Sequence, residues 1–155
     1  MNTSAREYVC TGLEATPIVV RRLLQPEPAA ALDRRPDPDR FTIREVVAHL
    51  ADWDAIFIER VRRILAEDSP TLPAYDEWQL GIEHGYASSN VRERLKAFGG
   101  RRAEMVLLLR ELDDAAWGRR GVHAQAGELT VADIAAFVLG HDGYHLRQIV
   151  EWSEL

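Results

Sequence analysis

Apolar residues recur at three- and four-residue steps in four stretches of the chain, and proline, glycine and polar residues separate those stretches. In the first, Ala5, Tyr8, Val9, Gly12, Thr16, Val20, Leu23 and Leu24 form a stripe that Pro26 and Pro28 end, which predicts a helix from about Ser4 to Leu24. A proline-rich connection follows to Arg40, with room for one turn at Ala29 to Leu32. Thr42-Ile43-Arg44-Glu45 is a capping-box pattern, and Phe41 before it is positioned to staple onto Val46 or Val47. The second helix therefore starts there and continues to about Ala66. Asn90 and Glu93 cap a third, marked by Val91, Leu95, Phe98, Met105, Val106 and Leu109 and ending near Leu112. Thr130 to Asp133 opens a fourth that reaches nearly to the C-terminus.

Two long connections remain. Residues Glu67 to Ser89 carry Tyr75, Trp78, His84 and Tyr86 among prolines and glycines, and aromatics in so long a loop suit a lid or pocket wall. Residues Asp113 to Leu129 hold Trp117, the basic run Gly118-Arg119-Arg120, Gly121 and Gly127, enough chain to cross the end of a bundle. No strand pattern competes with the helices. The expected fold is all-α: a four-helix bundle with long inter-helix loops, forming one domain over residues 1–155.

Composition changes this picture little but excludes several functions. With 155 residues, 46% hydrophobic and 28% charged, the chain is an ordinary globular mixture able to bury a core. Its net charge of −6, without a basic cluster, opposes binding to nucleic acid. No apolar run approaches the roughly 18 residues of a membrane span. A lone Cys10 and a polar start point to a reducing cytoplasm, and Cys10 itself begins the apolar face of the first helix as a buried, inert thiol.

Candidate chemistry lies on the fourth helix. Winding it at about 100° per residue puts Val131, Ile134, Val138, Ile149 and Trp152 in one sector, and His141 and His145 fall inside it. Imidazoles on a core face need partners, and the i, i+4 spacing lets both rings converge on one metal ion. His49 flanks the apolar stripe of Ile43, Val46, Leu50, Trp53 and Phe57 on the second helix, so it too points between helices. Three protein ligands with a vacant position describe a catalytic site better than a structural one. Gly140 and Gly143 flank His141 and would let a neighbour or ligand come close; Gln148, three residues after His145, is placed to orient a ligand ring or a bound water. The string His141-Asp142-Gly143-Tyr144-His145 differs from the zinc-peptidase motif, since Asp142 stands where a Glu is needed and too little chain follows for a downstream ligand.

The segments Thr42-Ile43-Arg44-Glu45-Val46-Val47-Ala48-His49-Leu50-Ala51-Asp52-Trp53 and Gly140-His141-Asp142-Gly143-Tyr144-His145-Leu146-Arg147-Gln148-Ile149 resemble the second- and fourth-helix motifs of the DinB/YfiT-like metalloenzyme superfamily, which takes its name from DNA-damage induction. The resemblance covers nearly the whole chain. It implies a bacterial four-helix bundle, often a homodimer, in which His49, His141 and His145 hold a divalent metal such as zinc or nickel. It further implies a small-molecule substrate and, in the reading favoured from this resemblance, transfer of a low-molecular-weight thiol such as bacillithiol, mycothiol or glutathione. A hydrolase acting through an activated water is the alternative, and a non-catalytic bundle stabilised by its metal is another.

Several residues stay open between two roles. Arg102 projects onto the apolar sector of the third helix, where it either holds a cofactor or substrate carboxylate or pairs with an acid inside the bundle, the pairing being favoured. Tyr144 is either a donor to a bound species or a packing aromatic. Trp53 and Trp78 are candidates to line the site. Asp142 and Asp52 could accept from ligating rings, although Asp52 lies off the stripe and is expected to be solvated. His84 and His123 are expected in exposed loops, each with some reach toward the vacant coordination position.

Overall fold

The computed structural model describes residues 1–25 and 27–153. Pro26, which with Pro28 was expected to end the first helix, lies outside the described residues. Four long helices form the frame: α1 (Thr3–Leu24), α2 (Ile43–Ala66), α4 (Val91–Arg110) and α6 (Val131–Ser153). The caps do what their side chains allow. Asn2 accepts from the Ala5 amide at 2.8 Å, and Thr42 and Glu45 satisfy one another's backbone amides at 3.2 and 2.7 Å. Arg35 grips the same Glu45 carboxylate with both oxygens within 2.8 Å, so the start of α2 is held twice.

Packing sets the order of the helices around the bundle. α1 packs on α4 and α6, and α2 packs on the same two, so α1 stands diagonal to α2 and α4 diagonal to α6. Long connections make this possible, because each diagonal step must cross an end of the bundle. The consequence for function is that α2 and α6 are neighbours along their length.

The two connections expected to be irregular are folded. Residues 67–89 contain β1 (Thr71–Leu72), the short helix α3 (Glu77–Glu83) and a 3-10 turn at Tyr86–Ser88; residues 113–129 contain α5 (Asp114–Trp117), β2 (Arg120–His123) and the start of β3 (Gly127–Thr130). β1 pairs parallel to β2, Thr71 against Val122, and β2 pairs antiparallel to β3. The expectation of no strands fails because these are only two to four residues long, too short for alternation to show, and because β1 finds its partner some fifty positions away, although β2 and β3 are a local hairpin. The small sheet closes one end of the bundle. Gly121 is needed there: a Cβ would meet Ile64 Cγ1 and the Pro70 carbonyl at 3.0 Å each.

Pro17 sits inside α1 and has no N–H to give the Leu13 carbonyl four residues earlier. That carbonyl instead accepts from Arg102 Nη1 of α4 at 3.0 Å. A defect in one helix thus becomes a tie to another. Among the described residues no helix is long and apolar enough to cross a membrane.

Candidate metal centre

Where α2 and α6 lie side by side, His49, His141 and His145 come together. One ring nitrogen from each lies within 4.8 Å of the other two, and His49 Nε2 stands 2.9 Å from His141 Nε2. The ring centroids are 4.6 to 5.0 Å apart. No other group of three such ligands occurs among the described residues. His49 has no exposure and His145 is 4% exposed, whereas His141 is partly open. Burial holds all three below the ordinary imidazole range, His141 to about 4 and His145 to about 3, so the rings are neutral and their lone pairs free at physiological pH.

Support for the rings is uneven. Gln148 Oε1 faces His145 Nδ1 at 3.2 Å, and Gln148 Nε2 donates to the Phe41 carbonyl at 2.7 Å. That chain fixes which His145 nitrogen points inward. His49 Nδ1 is buried with no partner, and the ring is held by packing against Phe41 and Trp53, at 5.2 and 5.5 Å between centroids. Three neutral, convergent imidazoles suit a divalent metal ion that accepts nitrogen ligands.

A cleft of about 110 Å³ leads from the surface to His141, His145 and Gln148, walled by Arg40, Phe41, Glu77, Trp78 and Tyr144. The expectation that residues 67–89 wall a pocket holds for Trp78 and Glu77 of α3. Trp78 packs tilted against Phe41, with the ring centroids 4.5 Å apart. Tyr144 is half exposed at the mouth, with the Arg40 guanidinium over its ring at 5.3 Å. Trp53 lies deeper, against His49 and His141.

Other candidates are elsewhere. Arg102 is 1% exposed and fully engaged: it donates to both oxygens of Asp54 at 2.8 and 3.0 Å, and to both oxygens of Asp142. It does not reach the cleft, and the pairing reading is the one observed. Asp142 consequently turns away from the histidines, taking Arg102 and the Thr16 hydroxyl instead. Asp52, expected in solvent, is buried and holds His84, Arg94 and Arg101. His84 is therefore tied to Asp52 and His123 lies beside Arg60, so neither joins the cluster. Gly140 and Gly143 face open space, where an added Cβ would touch nothing within 4 Å; the expected close approach of a neighbour is absent.

Sequence reading missed Asp54, although a signal existed. Asp54 falls at the helical spacing of Val47, Leu50, Phe57 and Val61, an acid in the middle of a buried stripe. Glu77 and Arg40 carried no comparable sign, because cleft walls made from separate elements leave no local pattern.

Comparison with known proteins agrees with this arrangement. The DinB superfamily profile matches residues 13–149. OB0413 of Oceanobacillus iheyensis, a proposed metal-dependent hydrolase, is 30% identical over 107 residues, which is 69% of this chain and 61% of that protein. YfiT of Bacillus subtilis, another proposed metal-dependent hydrolase, is 28% identical over 145 residues, 91% of this chain and 80% of YfiT. The solved YfiT structure, a four-helix bundle of unusual topology, superposes with a TM-score of 0.94 at 22% identity, covering 99% of this chain and 89% of that one. The crystal structure of the mycothiol-dependent maleylpyruvate isomerase gives 0.76 at 14% identity, covering 96% of this chain and 63% of that one. At such identities these two structures establish the shared fold.

Proposed function

Since this chain belongs to the DinB superfamily, we propose that it is a metal-dependent hydrolase of small molecules, with His49, His141 and His145 as the ligands of one divalent ion. The observation that carries this reading is the convergence of three buried, neutral imidazoles at the inner end of an open cleft. An ion held there supplies Lewis acidity, which polarises a carbonyl or phosphoryl oxygen and acidifies water. The chain's own residues do the rest. Gln148 keeps the inner nitrogen of His145 unprotonated by engaging Nδ1. Phe41 and Trp53 pack around His49 and exclude solvent from it. Glu77, whose carboxyl burial pushes up, is the cleft-wall group suited to take a proton from the attacking water.

Thiol transfer, favoured by the sequence resemblance, loses one candidate anchor: Arg102, which the sequence leaves open between holding a cofactor carboxylate and pairing inside the bundle, is engaged by Asp54 and Asp142. At about 110 Å³ the cleft admits the reacting end of a substrate, the volume of three or four waters.

Metal analysis of the purified chain tests the proposal. We expect about one divalent ion per chain, lost in His49→Ala and His141→Ala, and ester or phosphoester hydrolysis that a chelator abolishes and added zinc restores. Unchanged metal content in both variants would overturn it. A thiol-induced spectral change in cobalt-loaded protein, without hydrolysis of any ester, would restore the transferase reading.

A further inference from the structure

The molecule buries a second arginine, and this one has no acid. Arg60 of α2 is 6% exposed, yet no carboxylate lies within 4 Å of it among the described residues. Its Nη2 donates to the Pro73 carbonyl at 2.9 Å, its Nε is buried without a partner, and Nη1 donates to nothing described. With only its Nη1 edge reaching solvent and one neutral acceptor, a guanidinium this buried is costly unless something supplies the missing charge.

A second, independent feature lies against it. His123 Nδ1 accepts from the backbone amides of Gln125 and Ala126 at 3.2 and 3.1 Å, so in the neutral ring the proton is on Nε2. Nε2 faces Arg60 Nη2 at 3.1 Å. Two N–H donors therefore confront each other with no acceptor between them. A ring with one lone pair cannot serve three donors, but an oxyanion seated beside the pair would accept from both.

The surroundings suit an organic anion. Trp53, Phe57 and Tyr75 surround the guanidinium at 5.6 to 6.0 Å, and Tyr75, 44% exposed, leaves it within reach of the surface. Trp53 and Phe57 touch Arg60 on one side and the His141 ring, at 6.1 and 6.0 Å, on the other. One aromatic layer thus separates the unpaired cation from the histidine cluster.

We propose that Arg60 and His123 form an oxyanion subsite, which selects substrates carrying a carboxylate or phosphate on a flat apolar body beyond the reacting group. The subsite stands on its own geometry; its role in substrate choice rests on the function proposed above.

The full chain is titrated with phenylacetate, phenyl phosphate and uncharged phenylacetamide, once stripped of metal and once zinc-loaded, following the Arg60 Nε–H resonance by NMR. We expect at least one anion to shift that resonance in both forms and phenylacetamide to bind more than tenfold more weakly. Whichever anion binds tighter identifies the group recognised. Arg60→Met should weaken anion binding at least tenfold and leave zinc uptake unchanged; if that variant does not fold, the wild-type resonance decides alone. An unmoved resonance in both forms overturns the proposal, as does equal binding of phenylacetamide. Binding confined to the zinc form, kept in Arg60→Met and lost in His141→Ala, places the anion on the metal, which sinks the subsite and supports the metal centre. Binding through Arg60 by a protein that takes up no zinc keeps the subsite and sinks the hydrolase.

Discussion

Two polar clusters lie back to back inside the bundle, and adjacent residues of α6 belong to each. Asp142 joins the knot formed by Arg102, Asp54, Thr16 and the Leu13 carbonyl, which ties all four long helices together. His141, one residue before it, joins the imidazole trio. In the knot every guanidinium nitrogen has an acceptor, and the groups are at most 3% exposed. In the trio one buried nitrogen has no partner, two others face each other, and one ring opens to a cleft. A closed, satisfied cluster stabilises one arrangement of the helices. An incompletely satisfied one bordering a cleft is left ready for a ligand.

Breaking the knot should give the largest effect. Arg102→Met leaves two carboxylates buried without their cation, and we expect a loss of about 3–5 kcal/mol, read from urea denaturation. A stability near wild type would mean that the knot does not hold the bundle. His141→Ala in the proposed metal centre makes the complementary cut, removing the ion while the metal-free fold persists.

Gln148→Leu sharpens the contrast within the trio. It frees His145 Nδ1 and strands the Phe41 carbonyl, and zinc affinity should fall about 10- to 100-fold, measured by competition with a chelator. An unchanged affinity would show that packing alone orients the ring.

A smaller effect follows from titration. Unfolded histidine takes up its proton near 6.5, but His141 and His145 in the folded protein do so only near 4 and 3. The unfolded chain therefore binds more protons across that window, and metal-free protein should lose stability as pH falls from 7 to 5. Asp54, pushed up to about 6 by burial, works in the opposite sense below that value. Urea midpoints at pH 7, 6 and 5 check the sign: each step down should lower the midpoint, and more from 6 to 5 than from 7 to 6, because the histidines together outweigh the one carboxyl.

The smallest expected effect concerns the glycines beside His141. Because added Cβ atoms meet open space, Gly143→Ala should stabilise α6 by up to about 1 kcal/mol and leave zinc content unchanged. A lost ion with a raised melting temperature would show that Gly143 serves the centre after all.

Local rules determined much of this protein from its sequence. The Thr42–Glu45 box and the apolar spacing on α2 set that helix from Ile43 to Ala66, and the i, i+4 pair on α6 puts two imidazoles on one face, because a helix fixes the relative direction of residues a turn apart. Arg102 stood out for the same reason, as a charge in an apolar stripe. Tertiary structure alone decided that α2 neighbours α6, that Thr71 pairs with Val122, and that Asp142 turns to Arg102 while Arg60 is left without an acid. Those outcomes depend on which distant segments meet, and the energy of a buried charge is set by partners that come from other helices and leave no trace in local spacing.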